Sequence, residues 1–93
     1  MGSVWVFNKS NSGFPGGIFS EIGLAEAWIK NNSLSGVLTQ YPLDQGVFDW
    51  AIDNDMHNIK PEKIIEKSNQ PEFIGGFTTA SQAHYHYKHG VRI

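Results

Sequence analysis

Leu34-Ser35-Gly36-Val37-Leu38-Thr39-Gln40-Tyr41 runs into Pro42-Leu43-Asp44-Gln45-Gly46, and that into Val47-Phe48-Asp49-Trp50-Ala51-Ile52. Val, Thr, Tyr, Phe, Trp and Ile suit a pleated, half-buried surface. Pro-x-Asp-x-Gly between two such runs is turn chemistry, because Pro presets φ while Asp and Gly tolerate left-handed backbone. The stretch therefore predicts a β-hairpin. On its second strand Phe48, Trp50 and Ile52 point one way, and Val47, Asp49, Ala51 and Asp53 the other. One face then packs under a helix and the other stays at least partly wet. A hairpin alone is marginal in water, so it needs cover from elsewhere in the chain.

The segment after Ser20 supplies that cover. Ile22, Ala25 and Ile29, with Leu24 and Trp28 beside them, form an apolar stripe at helical spacing. Ser20 is suited to cap the first turn. Glu21 and Lys30 match the two ends of the helix dipole, and Glu26 and Lys30 stand in the favourable i,i+4 order. Asn31 and Asn32 end the helix. Upstream, Val4-Trp5-Val6-Phe7 reads as a strand inside a sheet, apolar enough to be covered on both faces. Asn8 to Gly17 is a loop in which Gly13, Gly16 and Gly17 free the backbone and turn Phe14 and Phe19 into the core.

Downstream the pattern weakens. Between Met56 and Gln70, Pro61 fits the first turn of a helix anchored by Ile64 and Ile65, and an irregular connection fits as well. Pro71 to Phe77 suits a strand or a single helical turn. Thr79 and Gln82 have capping-box spacing and Gly90 fits the residue after a helix end, so a short helix is expected from about Ala80 to Lys88. It would place Ala80, Ala83, His84 and Tyr87 on one face, and Gln82, His86 and His89 on the other. A strand over the same residues would instead set His84 and His86 together, opposite Tyr85 and Tyr87. The expected architecture is one α+β domain over residues 1–93: a small, mostly antiparallel sheet on one main amphipathic helix, plus a short C-terminal helix.

Composition narrows the function classes. Six Phe, three Trp and three Tyr among 93 residues read first as core, since each ring buries a large area. A net charge of −2 is no nucleic-acid footprint, which needs a basic face. The chain has no cysteine, which excludes a disulfide scaffold and thiolate-held zinc and suits a reducing cytoplasm. No apolar run approaches the roughly 20 residues of a membrane span, and the N-terminus lacks the basic region of a signal peptide. A cytoplasmic location is the expectation.

Four features compete as sites. His84-x-His86-x-x-His89 has the composition of a metal tract. A helix would put His86 and His89 one turn apart but leave His84 on the far side. No metal and no cofactor are therefore expected, and the histidines read as core contacts and solvated side chains. The Gly13–Gly17 loop precedes a helix N-terminus as anion cradles do, but no Lys-Ser/Thr pair follows it. No nucleophile elbow is present. The fourth feature is acidic. Asp44, Asp49, Asp53 and Asp55 fall between Leu43 and Ile59, where there is no Lys or Arg. On the hairpin, Asp49 and Asp53 would share the outer face, with Asp44 and Asp55 near opposite ends. Carboxylates so placed suit a basic protein partner and speed encounter with it.

Several islands of sequence also look familiar. They are Val4-Trp5-Val6-Phe7, Gly13 to Phe19, Ala25-Glu26-Ala27-Trp28-Ile29, Leu34 to Thr39 with Tyr41-Pro42-Leu43-Asp44 and Asp49 to Ile52, Phe73-Ile74, and Phe77 to Ser81 with His84-Tyr85-His86-Tyr87 and Gly90. Together they resemble a family of small, single-domain, uncharacterised bacterial proteins, over nearly the whole chain except Asp53 to Gln70. Such proteins are similar in size to immunity proteins of bacterial toxin systems. That likeness implies a non-catalytic binding protein that neutralises a toxin by occluding its active site with the aspartate-bearing face. The alternatives are a small metal-linked or hydrolytic enzyme using the C-terminal histidines, and a structural or homodimeric module.

Overall fold

The computed structural model describes residues 2–93. Strand β1 (Ser3–Lys9) is followed by β2 (Gly17–Phe19), helix α1 (Ile22–Asn31) and β3 (Gly36–Pro42). Helix α2 (Val47–Asp53), a 3-10 turn at Pro61–Lys63, α3 (Ile64–Ser68) and α4 (Pro71–Gly75) come next, and β4 (His84–Lys88) and β5 (Val91–Arg92) close the chain. The five strands form one antiparallel sheet in the order β2-β1-β3-β4-β5. The fold is α+β. Both edges are strands of three residues or fewer, a length that offers little to an edge-seeking chain.

Register decides which side chains meet α1. Phe7 stands opposite Leu38, and Leu38 opposite Tyr85, while Trp5 pairs with Gln40 and Phe19. These residues share one face. Ala25 and Ile29 of α1 close over it, with Trp28 edge-on to Phe7 at 5.6 Å between ring centroids. Phe7, Leu38 and Ile29 are no more than 1% exposed. The apolar stripe of α1 is thus the expected one, except that Leu24 is 57% exposed. The opposite face carries Val4, Val6, Ile18, Val37, Thr39, Tyr41, His84 and His86, and among the described residues no helix covers it as α1 covers the first, although Thr78 to Ala80 border it beside His84. Val4 to Phe7 is therefore an interior strand covered on one face rather than two. Phe14 is not in the core either: it is 82% exposed at the tip of its loop, and only Phe19 turns inward.

Two expectations fail for the same reason. The segment Val47 to Asp53 is a helix, not the second strand of a hairpin. β3 already has β1 on one side and β4 on the other, so no hydrogen-bonding edge is left for Val47–Asp53. Its apolar residues also satisfy helical spacing: Phe48 and Ala51 are buried one turn apart. The segment Ala80 to Lys88 is not a helix, because His84–Lys88 is the strand that takes that second edge. The capping-box contact does form, Thr79 N donating to Gln82 Oε1 at 3.0 Å, but it closes a turn. Gly90 is a hairpin residue rather than a helix cap. His89 and Gly90 lie at φ 50° and 86°, the paired positive angles of a two-residue β-hairpin turn.

Smaller differences are local. Ser20 does not cap α1: Glu21 holds the N-cap position and makes no side-chain cap bond. At the other end the left-handed residue is Ser33, φ 52°, while Asn32 Nδ2 donates to Trp28 O at 2.9 Å. Pro61 and Pro71 each begin a helical turn, as their missing N–H allows. Gly36 lies so close to β1 that a Cβ there would run into the Asn8 carbonyl and meet the Phe7 ring at 2.8 Å.

The molecule measures 46 × 28 × 20 Å with a radius of gyration of 14.8 Å. A compact domain of this length has about 12 Å. The excess comes with a second, smaller packed unit. Phe48, Phe73 and Phe77 form a three-ring cluster with centroids 5.6 to 5.9 Å apart, joining α2 to α4. Lys67 of α3 lies 4.9 Å over the Phe73 ring. Among the described residues no helix is long and apolar enough to cross a membrane.

Candidate functional site

The aspartates do gather, on a helix instead of a ribbon. Gly46 starts α2 in extended backbone, and Asp49 sits in the first turn, where the helix dipole favours a carboxylate. Asp53 follows one turn later on the same side. Gln45 Nε2 donates to Asp53 Oδ2 at 2.9 Å, which steadies that carboxylate at the helix end. Asp44 and Asp55 flank the helix in turns, both in left-handed backbone at φ 62° and 54°. Asp tolerates that conformation better than most residues. All four aspartates are exposed. Asp55 lies 3.7 Å from Nε2 of His57, whose Nδ1 accepts the Ile59 amide at 3.1 Å.

Beside these carboxylates runs a cleft of about 270 Å³ between the end of the sheet and α2. Its walls include Gln40 and Tyr41 of β3, Leu43, Trp50 of α2 and Met56. Leu43 and Met56 are each more than 40% exposed, unusual for large apolar side chains. Polar side chains share the lining, among them Ser3, Gln45, Ser81 and Gln82, and Gln45, which donates to Asp53, links the hollow to the carboxylates. The sequence shows the charges. The hollow exists because α2 folds back beside Pro42, which no local pattern signals.

A second charged cluster lies under the sheet's helix side. Glu26 of α1 accepts a hydrogen bond from the Tyr87 hydroxyl at 2.5 Å and is paired with Arg92 of β5, whose Nε donates to Oε2 at 3.0 Å. Arg92 also stacks over the Tyr85 ring at 4.0 Å. Glu26 is held below its ordinary carboxylate range, first by the Tyr87 hydrogen bond and then, against some opposition from burial, by Arg92. Tyr87 is pushed up to about 12, mainly by burial and then by the Glu26 carboxylate. The predicted Glu26–Lys30 pair gives way to these partners, 61 and 66 residues distant. The cluster fastens β4 and β5 to α1, with Oε2 of Glu26 taking both partners.

The histidines separate. His84 and His86 share the open face of the sheet, with ring centroids 5.8 Å apart, and His89 sits in the β4–β5 turn. Among the described residues no three His, Asp or Glu side chains meet with metal-binding geometry.

Compared with known protein families, residues 4–93 match the profile described as Domain of unknown function (DUF7710). The chain belongs to that family. Neither the curated proteins nor the solved structures include a match. The DUF7710 match takes in nearly the whole described chain, the sheet, α1 and the aspartate-bearing helix together.

Proposed function

We propose that this chain is a non-catalytic binding protein that meets a positively charged protein partner through α2 and the turns at its two ends. The observation that carries the reading is the placement of all the chain's aspartates. Asp44, Asp49, Asp53 and Asp55 stand exposed around one seven-residue helix, beside a cleft lined by both apolar and polar side chains. The rest of the chain carries seven Lys and Arg against five Glu, so this end alone is strongly negative. Such a patch steers a basic partner in and sets its orientation, while Leu43, Trp50 and Met56 offer the apolar contact that slows its departure.

Within this reading the finer proposal is an immunity protein that occludes the active site of a cognate toxin in the cytoplasm. A nuclease grips phosphates with a basic cleft. A small acidic protein seated over that cleft excludes substrate with no chemistry of its own and no cofactor.

The test is charge reversal. Wild-type protein and an Asp49→Lys/Asp53→Lys variant are immobilised and exposed to lysate of the native host. A partner retained by the first and lost by the second supports the proposal, as does an association rate that falls steeply with added salt. Asp49 faces the positive end of α2 and Asp53 accepts from Gln45, so the double reversal should cost about 1 kcal/mol of stability, far less than the loss of partner binding. Equal capture by both baits removes the acidic face. Co-purification with the product of an adjacent gene encoding a toxin domain would establish the finer reading.

A further inference from the structure

We propose that His84 and His86 form a two-imidazole chelate for a borderline-soft divalent metal ion, Zn²⁺, Cu²⁺ or Ni²⁺, on the open face of the sheet. The proposal is independent of the acidic face and assigns the ion no catalytic step.

Strand geometry is the starting point. Residues i and i+2 of a strand project from the same face about 6.6 Å apart along the chain. β4 pairs with β3 through His84–Thr39 and His86–Val37, and on its other side β5 pairs with Tyr87 and Lys88 while the Ile93 amide, just past β5, donates to His86 O at 2.9 Å. The two Cα positions are therefore fixed before any ligand arrives, and little order remains to be imposed on binding. The facing residues on β3, Thr39 and Val37, are short, so neither ring is overhung. Both histidines are exposed.

The rings are close to the required arrangement. Their centroids lie 5.8 Å apart with planes at 82°. An ion held by two Nε2 atoms at about 2.0–2.1 Å with a tetrahedral angle puts the centroids roughly 5 Å apart. Rotation of the exposed His86 side chain covers that difference. His84 is already oriented. Its Nδ1 lies 2.7 Å from the backbone carbonyl of Gln82, which only accepts, so Nδ1 carries the proton and Nε2 presents its lone pair outward. A carbonyl holding the far nitrogen is the usual outer partner of a metal-bound histidine, fixing tautomer and ring plane.

The chemistry of the donors selects the ion. Two neutral imidazoles suit Zn²⁺, Cu²⁺ and Ni²⁺, whereas Mg²⁺ and Ca²⁺ require oxygen ligands. The remaining coordination positions are left to water or to a donor from outside the chain. A shallow hollow of about 280 Å³ beside His84, bearing the hydroxyls of Thr39, Tyr41, Thr78 and Thr79, gives such waters hydrogen-bond partners.

Isothermal titration of the intact chain with Zn²⁺, Ni²⁺ and Mg²⁺, paired with imidazole NMR spectra, tests this. The expected result is saturable binding of one Zn²⁺ or Ni²⁺ per chain, with resonance shifts centred on His84 and His86 and none with Mg²⁺. His84→Ala and His86→Ala should each weaken binding roughly tenfold or more, and His89→Ala should leave it unchanged. Circular dichroism of each variant verifies the fold. Absence of binding at millimolar Zn²⁺ overturns the proposal. So does binding that survives the His84→Ala/His86→Ala double variant, or that is lost with His89→Ala alone.

Discussion

The sheet under α1 and the short helices between Asp53 and Gln82 are held by different physics. β1 and β3 pair over seven residues each, and the rings between them and α1 are shut away from water. That region couples residues distant in sequence, so it should melt as one unit. α3 and α4 have five residues each and bury none of them fully. Helices so short do not persist alone in water. They are placed by three phenylalanine rings and a lysine laid across one of them. The difference teaches that this small chain divides its aromatics between a cooperative core and a satellite, and that the satellite should open first. α2 belongs to both: its Phe48 anchors the satellite, while its aspartates look away from it.

The contrast breaks most directly at its strongest point. Phe7→Ala should cost about 3–5 kcal/mol and lower the chemical-denaturation midpoint of the whole molecule, because the ring is fully buried between sheet and helix. Gly36→Ala should cost about 1–3 kcal/mol, since the Asn8 carbonyl that a Cβ would meet belongs to a paired strand and cannot yield. Phe73→Ala should cost about 1–2 kcal/mol and act locally. Hydrogen exchange is the check: amides of α3 and α4 should lose protection while those of β1 and β3 keep theirs. Equal loss in both regions would show one cooperative unit instead of two.

The smallest effect sharpens the comparison at the seam of the core. Arg92→Ala should lower the denaturation midpoint least of these variants, as its pair with Glu26 is partly solvated. Its signature is pH dependence. Glu26 titrates lower in the folded chain, so its contribution is present above the ordinary value of 4.5 and fades as pH falls through the folded one. Tyr87 titrates higher, so its contribution is complete below 10 and is lost as pH climbs toward 12. Tyr87→Phe should therefore flatten both limbs of the stability-versus-pH curve, and Arg92→Ala the acid limb most.

Much of the fold was legible because its signals are local. The stripe Ile22, Ala25, Ile29 defines α1 by its spacing alone, and the β-branched and aromatic runs mark β1 and β3. The clustering of Asp44, Asp49, Asp53 and Asp55 needed only counting. Three things were decided elsewhere. Val47–Asp53 fits a period of 2 and a period of 3.6, and it became a helix because β1 and β4 already occupied the edges of β3. His84–Lys88 carries a helix-start signal at Thr79 and Gln82, yet pairing with β3 outweighed it, and only that outcome brings His84 and His86 onto one face. Glu26 had a good partner one turn away in Lys30 and took Tyr87 and Arg92 instead.

By itself, then, the sequence determined the α+β class, the main helix, the inner strands and the acidic stretch from Asp44 to Asp55. Tertiary structure alone decided which segment received the last free strand edge, and so which charges and imidazoles stand together. The physical reason is range. Propensities and caps act over a few residues, whereas a strand edge is a single long-range resource for which segments compete, and the winner sets the conformation of the loser.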